Sequence, residues 1–368
     1  MFRAKTVLVL GAGASVEVGL PAGPELLEQI VKLTYITFEL GRQKSGDEGI
    51  LRALKLHLNE GGAVDLINEH LKAGWQLSDS AQQALSIDNV IDALEDPKVE
   101  LIGKMGIAKA ILRAEAASPL FKNKDLHPDT LDLSKFDKTW YSSLTKLLTE
   151  NVRKTAVGGI FDNLEVINFN YDRCLENYLP FSIAKYYGLQ LSETRELMQT
   201  LAIHRPYGRV GRLPWQLGEA PSVSFGSAPP EQIAEVAQQV RTFTERVEEG
   251  AELQAMRDAI ANADRIIFLG FAFHRQNVEL IAQHAQEHAH VLATAYKISE
   301  SDKAVIEDEL SSALDLTSVY VSPRVVLADM TCSQFFQEYW RTMTAERGYD
   351  RPAELPSAPR TPRFGLGE

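Results

Sequence analysis

After six residues the chain enters an apolar run, Val7-Leu8-Val9-Leu10, that stops abruptly at Gly11. A short continuous apolar run closed by glycine reads as a strand buried on both faces. The same pattern returns at Leu164-Glu165-Val166-Ile167-Asn168-Phe169, at Arg265-Ile266-Ile267-Phe268-Leu269, at Val291-Leu292-Ala293-Thr294 and at Arg324-Val325-Val326-Leu327. Between these runs apolar residues recur at helical spacing over 24–40, 173–187, 230–263, 277–289 and 303–314. Strands alternating with helices predict an α/β fold with a doubly wound, Rossmann-like parallel sheet. The stretch 50–155 differs. Its periodicity is helical over 50–58, 63–73, 81–95, 99–117 and 138–154, with hardly any period-two alternation. We therefore expect a Rossmann-like domain made of 1–40 and 156–335, an inserted all-helical subdomain over 41–155 beginning with a polar loop at 41–49, and an extended proline-rich tail over 345–368.

The first strand ends in Gly11-Ala12-Gly13-Ala14-Ser15, followed by Gly19-Leu20-Pro21-Ala22-Gly23-Pro24. Alternating glycines after a buried strand suit a backbone that passes close to a phosphate, because no Cβ blocks the approach. An ordinary dinucleotide fingerprint carries a third glycine and runs straight into a helix. Here Val16 occupies that third position, and Pro21 and Pro24 forbid a long helix from Gly13. The spacing predicts a short turn, a loop over the nucleotide, and a new helix with Pro24 in its first turn and Glu25 near its positive end.

Composition narrows the class. Net charge is −12 over 368 residues, which argues against broad attraction to nucleic acid or anionic membrane. No apolar run approaches the roughly 20 residues a membrane span needs, and no signal-peptide pattern opens the chain, so a cytoplasmic protein is expected. Only two cysteines occur, Cys174 and Cys332, far apart and outside any Cys-x-x-Cys pair. They cannot build a zinc ribbon and read as ordinary buried thiols.

In open parallel sheets ligands sit at the carboxyl ends of the strands. Four predicted strands end in unusual sequences: the glycine loop, Asn168-Phe169-Asn170-Tyr171-Asp172-Arg173, Gly270-Phe271-Ala272-Phe273-His274, and Thr294-Ala295-Tyr296. Asn170 and Asp172 lie two apart, so at an extended strand end both side chains point the same way. Together they suit a ribose, a water or a carboxamide; alternatively Asp172 only caps the helix beginning near Arg173. His204 precedes Pro206-Tyr207-Gly208-Arg209, a context that suits solvent or ligand better than a core. His284, His288 and His290 are read as a solvated face, not as metal ligands, and the acidic run at 245–252 as exposed helix. His274 and Arg275 either touch ligand or cap the next helix.

These pieces together resemble the sirtuin superfamily, and within it the sirtuin-like domains of bacterial anti-phage defence. The matching elements are Gly11-Ala12-Gly13-Ala14-Ser15 with Gly19-Leu20-Pro21, Phe169-Asn170-Tyr171-Asp172, His204 with Tyr207-Gly208, Leu269-Gly270-Phe271, and Ser86-Ile87-Asp88 in the helical block. Departures are equally specific. Protein-deacylating sirtuins follow the glycine loop with an Asp-Phe-Arg type sequence and carry His-Gly and a four-cysteine zinc module; this chain has Ala22-Gly23-Pro24, Arg205 after His204, and two distant cysteines.

The resemblance implies an NAD glycohydrolase that releases nicotinamide and ADP-ribose and defends by depleting NAD. It implies that Gly11, Ala12, Gly13 and Ser15 hold the pyrophosphate, and that Gly19, Leu20 and Pro21 close over the nicotinamide ribose. Asn170 would position water and the carboxamide, His204 would act as base, and Asp172 would hold the ribose or the loop. Gly270 and Phe271 would wall the pocket, with Thr294 and Tyr296 at the adenosine end. NAD is the substrate and no metal is expected. A homo-oligomer is implied, with an ATPase of the HerA type as a candidate partner. Two alternatives stand beside this reading: a non-catalytic NAD or ADP-ribose sensor, and an NAD-dependent deacylase.

Overall fold

The structure, a computed structural model, describes residues 1–58, 64–121, 130–242, 250–316 and 324–346. The tail read at 345–368 lies outside the described residues from 347 onward, as does the first part of the acidic run at 245–252.

Six parallel strands form the central sheet: β1 (Thr6–Leu10), β4 (Leu164–Asn168), β5 (Ala202–His204), β6 (Arg265–Leu269), β7 (His290–Thr294) and β8 (Val325–Ala328), in the order β5-β4-β1-β6-β7-β8. β1 is the centre, with Leu8 opposite Val166 of β4 on one side and Ile267 of β6 on the other. The chain leaves β1 toward β4 and β5, then returns to the far side of β1 and continues through β6, β7 and β8. The strand order therefore reverses between β1 and β6, and the crevice above their carboxyl ends is the expected ligand position. The α/β doubly wound sheet is as the sequence predicts.

Period-two alternation sends Val7, Val9, Ile167, Ile266 and Phe268 into one core, and Leu8, Leu10, Val166, Ile267 and Leu269 into the other. The first core takes up α1 (Gly23–Thr34), α2 (Glu48–Leu58), α3 (Val64–Ala81), α4 (Ile87–Leu94) and α5 (Pro97–Ala117), together with α9 (Pro230–Ala237), α10 (Ala251–Ala261), α11 (Arg275–Leu280) and the inner side of α12 (Glu300–Ala313). The second takes up α6 (Trp140–Thr149), α7 (Cys174–Tyr187) and α13 (Cys332–Glu338), while α8 (Leu191–Leu197) packs on α7. α5 is the pivot. It is buried on nearly every side and packs against α1, α3, α4 and α9. Gly103 and Gly106 give it close approach to Ile91 and Ile30. α6 lies across the sheet from the other helices of the 50–155 stretch, beside α7 and α13.

Several boundaries depart from the periodicity. The helix expected over 24–40 ends at Thr34, and residues expected to be helix end and loop fold as a hairpin of β2 (Thr37–Glu39) and β3 (Arg42–Ser45). Its tip, Leu40-Gly41, has two positive φ angles, 50° and 77°, the backbone that a tight two-residue hairpin demands. The helix expected over 230–263 appears as α9 and α10, with 243–249 outside the described residues. That expected over 277–289 is only α11. α3 runs through Ala81, and α4 starts afresh after Ser86, whose hydroxyl accepts the Asn89 N–H at 3.2 Å. Among the described residues no helix is long and apolar enough to cross a membrane.

One buried ion pair fastens the two cores. Glu115 at the end of α5 and Arg173 before α7 are both fully buried and 2.5 Å apart, and Arg173 also donates to the Val223 and Ser224 carbonyls. Glu115 in turn accepts the N–H groups of Arg173 and Gly226. Removing one partner strands the other charge without water. Glu115→Ala is expected to cost about 3–5 kcal/mol in urea unfolding, whereas Glu346→Ala, which removes the exposed Arg3 pair, costs under about 1 kcal/mol.

Candidate functional site

The cleft at the switch point is built first of backbone. Gly11 N–H donates to the Leu269 carbonyl at 3.0 Å, Gly13 N–H to the Gly270 carbonyl at 2.9 Å, and Ala14 N–H to the Gly11 carbonyl at 2.9 Å. A Cβ at Gly11 would stand 2.5 Å from the Gly270 oxygen, and one at Gly13 would stand 2.8 Å from the Gly270 Cα. The glycines are thus demanded by contact between the β1 and β6 loops, and the Gly11 and Gly13 amides are engaged within the protein. Gly270 itself sits at φ 56°, where a Cβ would meet the Ala14 nitrogen at 2.0 Å.

Beyond Gly13 the chain makes a short 3₁₀ turn (Ala12–Val18), closes at Gly19 and enters α1 with Pro24 in the first turn, as the two prolines require. Glu17 anchors this turn. Its two carboxylate oxygens accept the Trp140 N–H at the start of α6 and the Ser333 N–H at the start of α13, both at 2.8 Å. The indole N–H of Trp140 donates to the Ala14 carbonyl, and the Ser118 hydroxyl to the Val18 carbonyl.

The resulting cleft has a volume of about 170 Å³. Gly11, Ala12, Leu20 and Pro21 form one wall, and Ile87 and Asp88 of α4 stand with Ile111 of α5 on another. Asn170, Tyr171 and Asp172 come from the loop after β4, while Phe271, His274 and Asn277 come from beyond β6. Aromatic rings close the base. Phe169 meets Phe271 edge-on at 5.0 Å and Tyr207 at 5.6 Å.

Of the residues read from the sequence, Gly11, Ala12, Leu20, Pro21, Asn170, Asp172 and Phe271 all line this cleft. Gly13, Ser15 and Gly270 are not in its lining and brace the loop through their hydrogen bonds, while Gly19 closes the turn at φ 85°. Asn170, 8% exposed, donates its amide to the Gly11 carbonyl at 2.9 Å and to Ser15 Oγ at 3.4 Å. Asp172 accepts the Ser15 hydroxyl at 2.8 Å and the Cys174 N–H at 3.0 Å. Capping α7 and bracing the glycine loop are therefore both true of Asp172. Three predicted residues stand apart. His204 is at the end of the edge strand β5, and its Nε2 lies 3.0 Å from Glu165; it is not among the cleft-lining residues. Thr294 is buried and accepts the Gly270 N–H at 2.8 Å, so it holds the loop. Tyr296 is 54% exposed, with Lys297 over its ring.

Other residues the sequence gave no role turn out to matter here. Arg205 donates from Nη1 to the carbonyls of Asn170 (2.9 Å) and Asp172 (3.1 Å), and its other nitrogen pairs with Glu176. The arginine that departs from the sirtuin pattern is the brace of the Asn170–Asp172 turn. Tyr171 donates to Asp88 at 3.1 Å, with the Arg241 carbonyl at 3.2 Å. Tyr207 donates to Asn277 at 2.6 Å. Burial pushes the Asp88 carboxyl up to about 6, against the pull of the Tyr171 hydrogen bond. Burial also pushes the Cys174 thiol and the Tyr141 phenol well up, leaving both neutral. His284 pairs with Asp315 and His288 with Asp264, and among the described residues no three candidate ligands gather as a metal site.

No protein-family model and no curated protein sequence matches the chain.

The loop contact sets the first expectation. Gly13→Ala forces backbone apart and should lower stability by about 1–3 kcal/mol, seen as an earlier thermal transition. Gly23→Ala, where an added Cβ meets nothing within 4 Å, should leave it within about 0.5 kcal/mol.

Proposed function

We propose that the cleft binds NAD and that the protein hydrolyses its nicotinamide N-glycosidic bond. The observation that carries this reading is the meeting of the glycine loop, Asn170 and Phe271 in one cleft at the β1/β6 switch point. Each comes from a different strand end, and each belongs to a segment by which the sequence resembles sirtuin-like domains. A volume of about 170 Å³ is below the roughly 300–1,000 Å³ of sites that enclose a whole drug-sized ligand. The cleft would accordingly enclose the nicotinamide riboside end, with the remainder of the dinucleotide running outward across the loop.

In the reaction the bond between ribose C1′ and the pyridinium nitrogen breaks, and its electron pair neutralises the ring. The oxocarbenium-like centre then takes a water oxygen, and that water surrenders a proton. Asn170 is the residue we assign to position the carboxamide and the water, its amide nitrogen being fixed by the Gly11 carbonyl. Asp172 and Ser15 keep that amide and the glycine loop in one geometry. Such preorganisation is what raises rate without movement at the moment of reaction. Anti-phage action by NAD depletion, a homo-oligomer and an ATPase partner belong to the same proposal and come from the resemblance.

A second reading, a non-catalytic NAD or ADP-ribose sensor, is favoured by the place of His204, engaged with Glu165 away from the cleft. The two readings part on turnover. The purified chain should release nicotinamide from NAD, and Asn170→Ala should lower kcat by about 100-fold or more while its thermal transition stays within a few degrees. Binding of NAD with no release, unaltered by Asn170→Ala, would favour the sensor.

A further inference from the structure

Water addition at C1′ needs a proton acceptor, and the histidine expected from the sequence is not at the cleft. Among the described residues, the ionisable groups that do line it are Asp88, Asp172, His274 and the phenols of Tyr171 and Tyr207. Asp172 is committed on both oxygens, to the Ser15 hydroxyl and the Cys174 N–H. His274 is exposed at the N-terminal end of α11. Both phenols already donate, Tyr171 to Asp88 and Tyr207 to Asn277, and an ordinary phenol holds its proton to about pH 10. Asp88 is different in kind. It stands in the first turn of α4 and lines the cleft together with Asn170 and Tyr171, and the Tyr171 hydroxyl donates to one of its oxygens.

Resting on the hydrolase reading above, we propose that Asp88 is the general base of this cleft, taking the proton from the water that adds to ribose C1′. The balance is simple: the water oxygen bonds to C1′, nicotinamide leaves with the C–N electron pair, and the proton passes to the Asp88 carboxylate and then to solvent. The helical stretch between β1 and β4 thereby supplies a reacting group to a site otherwise built from strand ends. The groups acting on Asp88 are the Tyr171 phenol and its own N–H, which favour the charged form, Asp92 one turn along α4, which opposes it, and Lys104 of α5, which favours it and is itself paired with Glu100 at 2.7 Å. With burial the largest influence, the carboxyl titrates at about 6, so it is ionised at neutral pH yet a far better proton acceptor than an exposed aspartate.

The test is nicotinamide release against pH. For the wild-type chain kcat/KM should fall as pH drops through about 6, since the protonated acid accepts nothing. Asp88→Asn should lose about 100-fold or more in kcat and lose that acid limb, with NAD affinity within a few-fold by calorimetry. Tyr171→Phe removes a hydrogen bond that favours the carboxylate, so its limb should move to higher pH. Sodium formate should restore part of the rate to Asp88→Ala, which a purely structural role would not allow. An Asp88→Asn variant that keeps both rate and limb, or a Tyr171→Phe limb that stays in place, overturns the assignment and leaves the hydrolase standing. A wild-type chain that binds NAD without releasing nicotinamide at any pH overturns both.

Discussion

Everything at the candidate site depends on how closely two loops of backbone approach each other. The turn after β1 and the turn after β6 touch through Gly11, Gly13 and Gly270, with carbonyls accepting amides across the gap. Contact at this range leaves no space for a side chain, so three glycines are required by sterics alone. In return, the strand ends on either side of the switch point become one rigid platform. Thr294 from the next strand fixes Gly270 in its left-handed conformation, and Glu17 ties the same platform to the first turns of α6 and α13. The cleft floor is thus tied to four strands' connections and two helices.

A second constraint shapes the opposite wall. The Asn170–Asp172 turn carries carbonyls that strand geometry no longer satisfies, and buried arginines supply the donors. Arg205 takes two of these carbonyls, while Arg173, one residue on, is locked to Glu115. Burying such charges costs several kcal/mol per ion before pairing, and the network is not complete: Glu176 Oε2 and Arg205 Nε have no hydrogen-bond partner. Simple stability would be served better by apolar residues of similar size. What the ions provide is direction, because a guanidinium fork accepts only one arrangement of carbonyls. The turn is held where Asn170 can reach the Gly11 carbonyl.

The sheet was legible in the sequence because its inner strands are buried on both faces and read as unbroken apolar runs. β5 escaped, since an edge strand of three residues has too little pattern to separate from a loop. The hairpin Thr37–Ser45 escaped for another reason: Leu40-Gly41 adopts the turn without the usual Asn-Gly, and the preceding helix imposed its period on the reading. At the site, residues adjacent to strand ends were found, because in this fold chain position fixes spatial position there. Residues brought in from elsewhere were not. Asp88 was visible only as part of a short resemblance, and nothing in local sequence tells that α4 will face the loop after β4. His204 failed to appear at the cleft because its strand is the sheet edge, where Glu165 of β4, two rungs below its opposite residue, claims the ring.

Net charge does not by itself set the field at this cleft. A chain of net charge −12 repels anions at long range, yet fields at a few ångströms follow local arrangement. Behind the Asn170–Asp172 turn stand Arg173, Arg205, Arg209 and Arg212, against the carboxylates of Glu115 and Glu176. Burial and its neighbouring arginines draw Arg209 down to about 10, which leaves it charged at neutral pH. These arginines are set against the carboxylates of Glu115, Glu176 and Asp172, and salt screens the buried pairs among them weakly. A dinucleotide's pyrophosphate lying across the loop would meet this field after crossing an acidic exterior. On the hydrolase reading proposed above, association would then be slow by electrostatic steering, and any specificity would come from local complementarity.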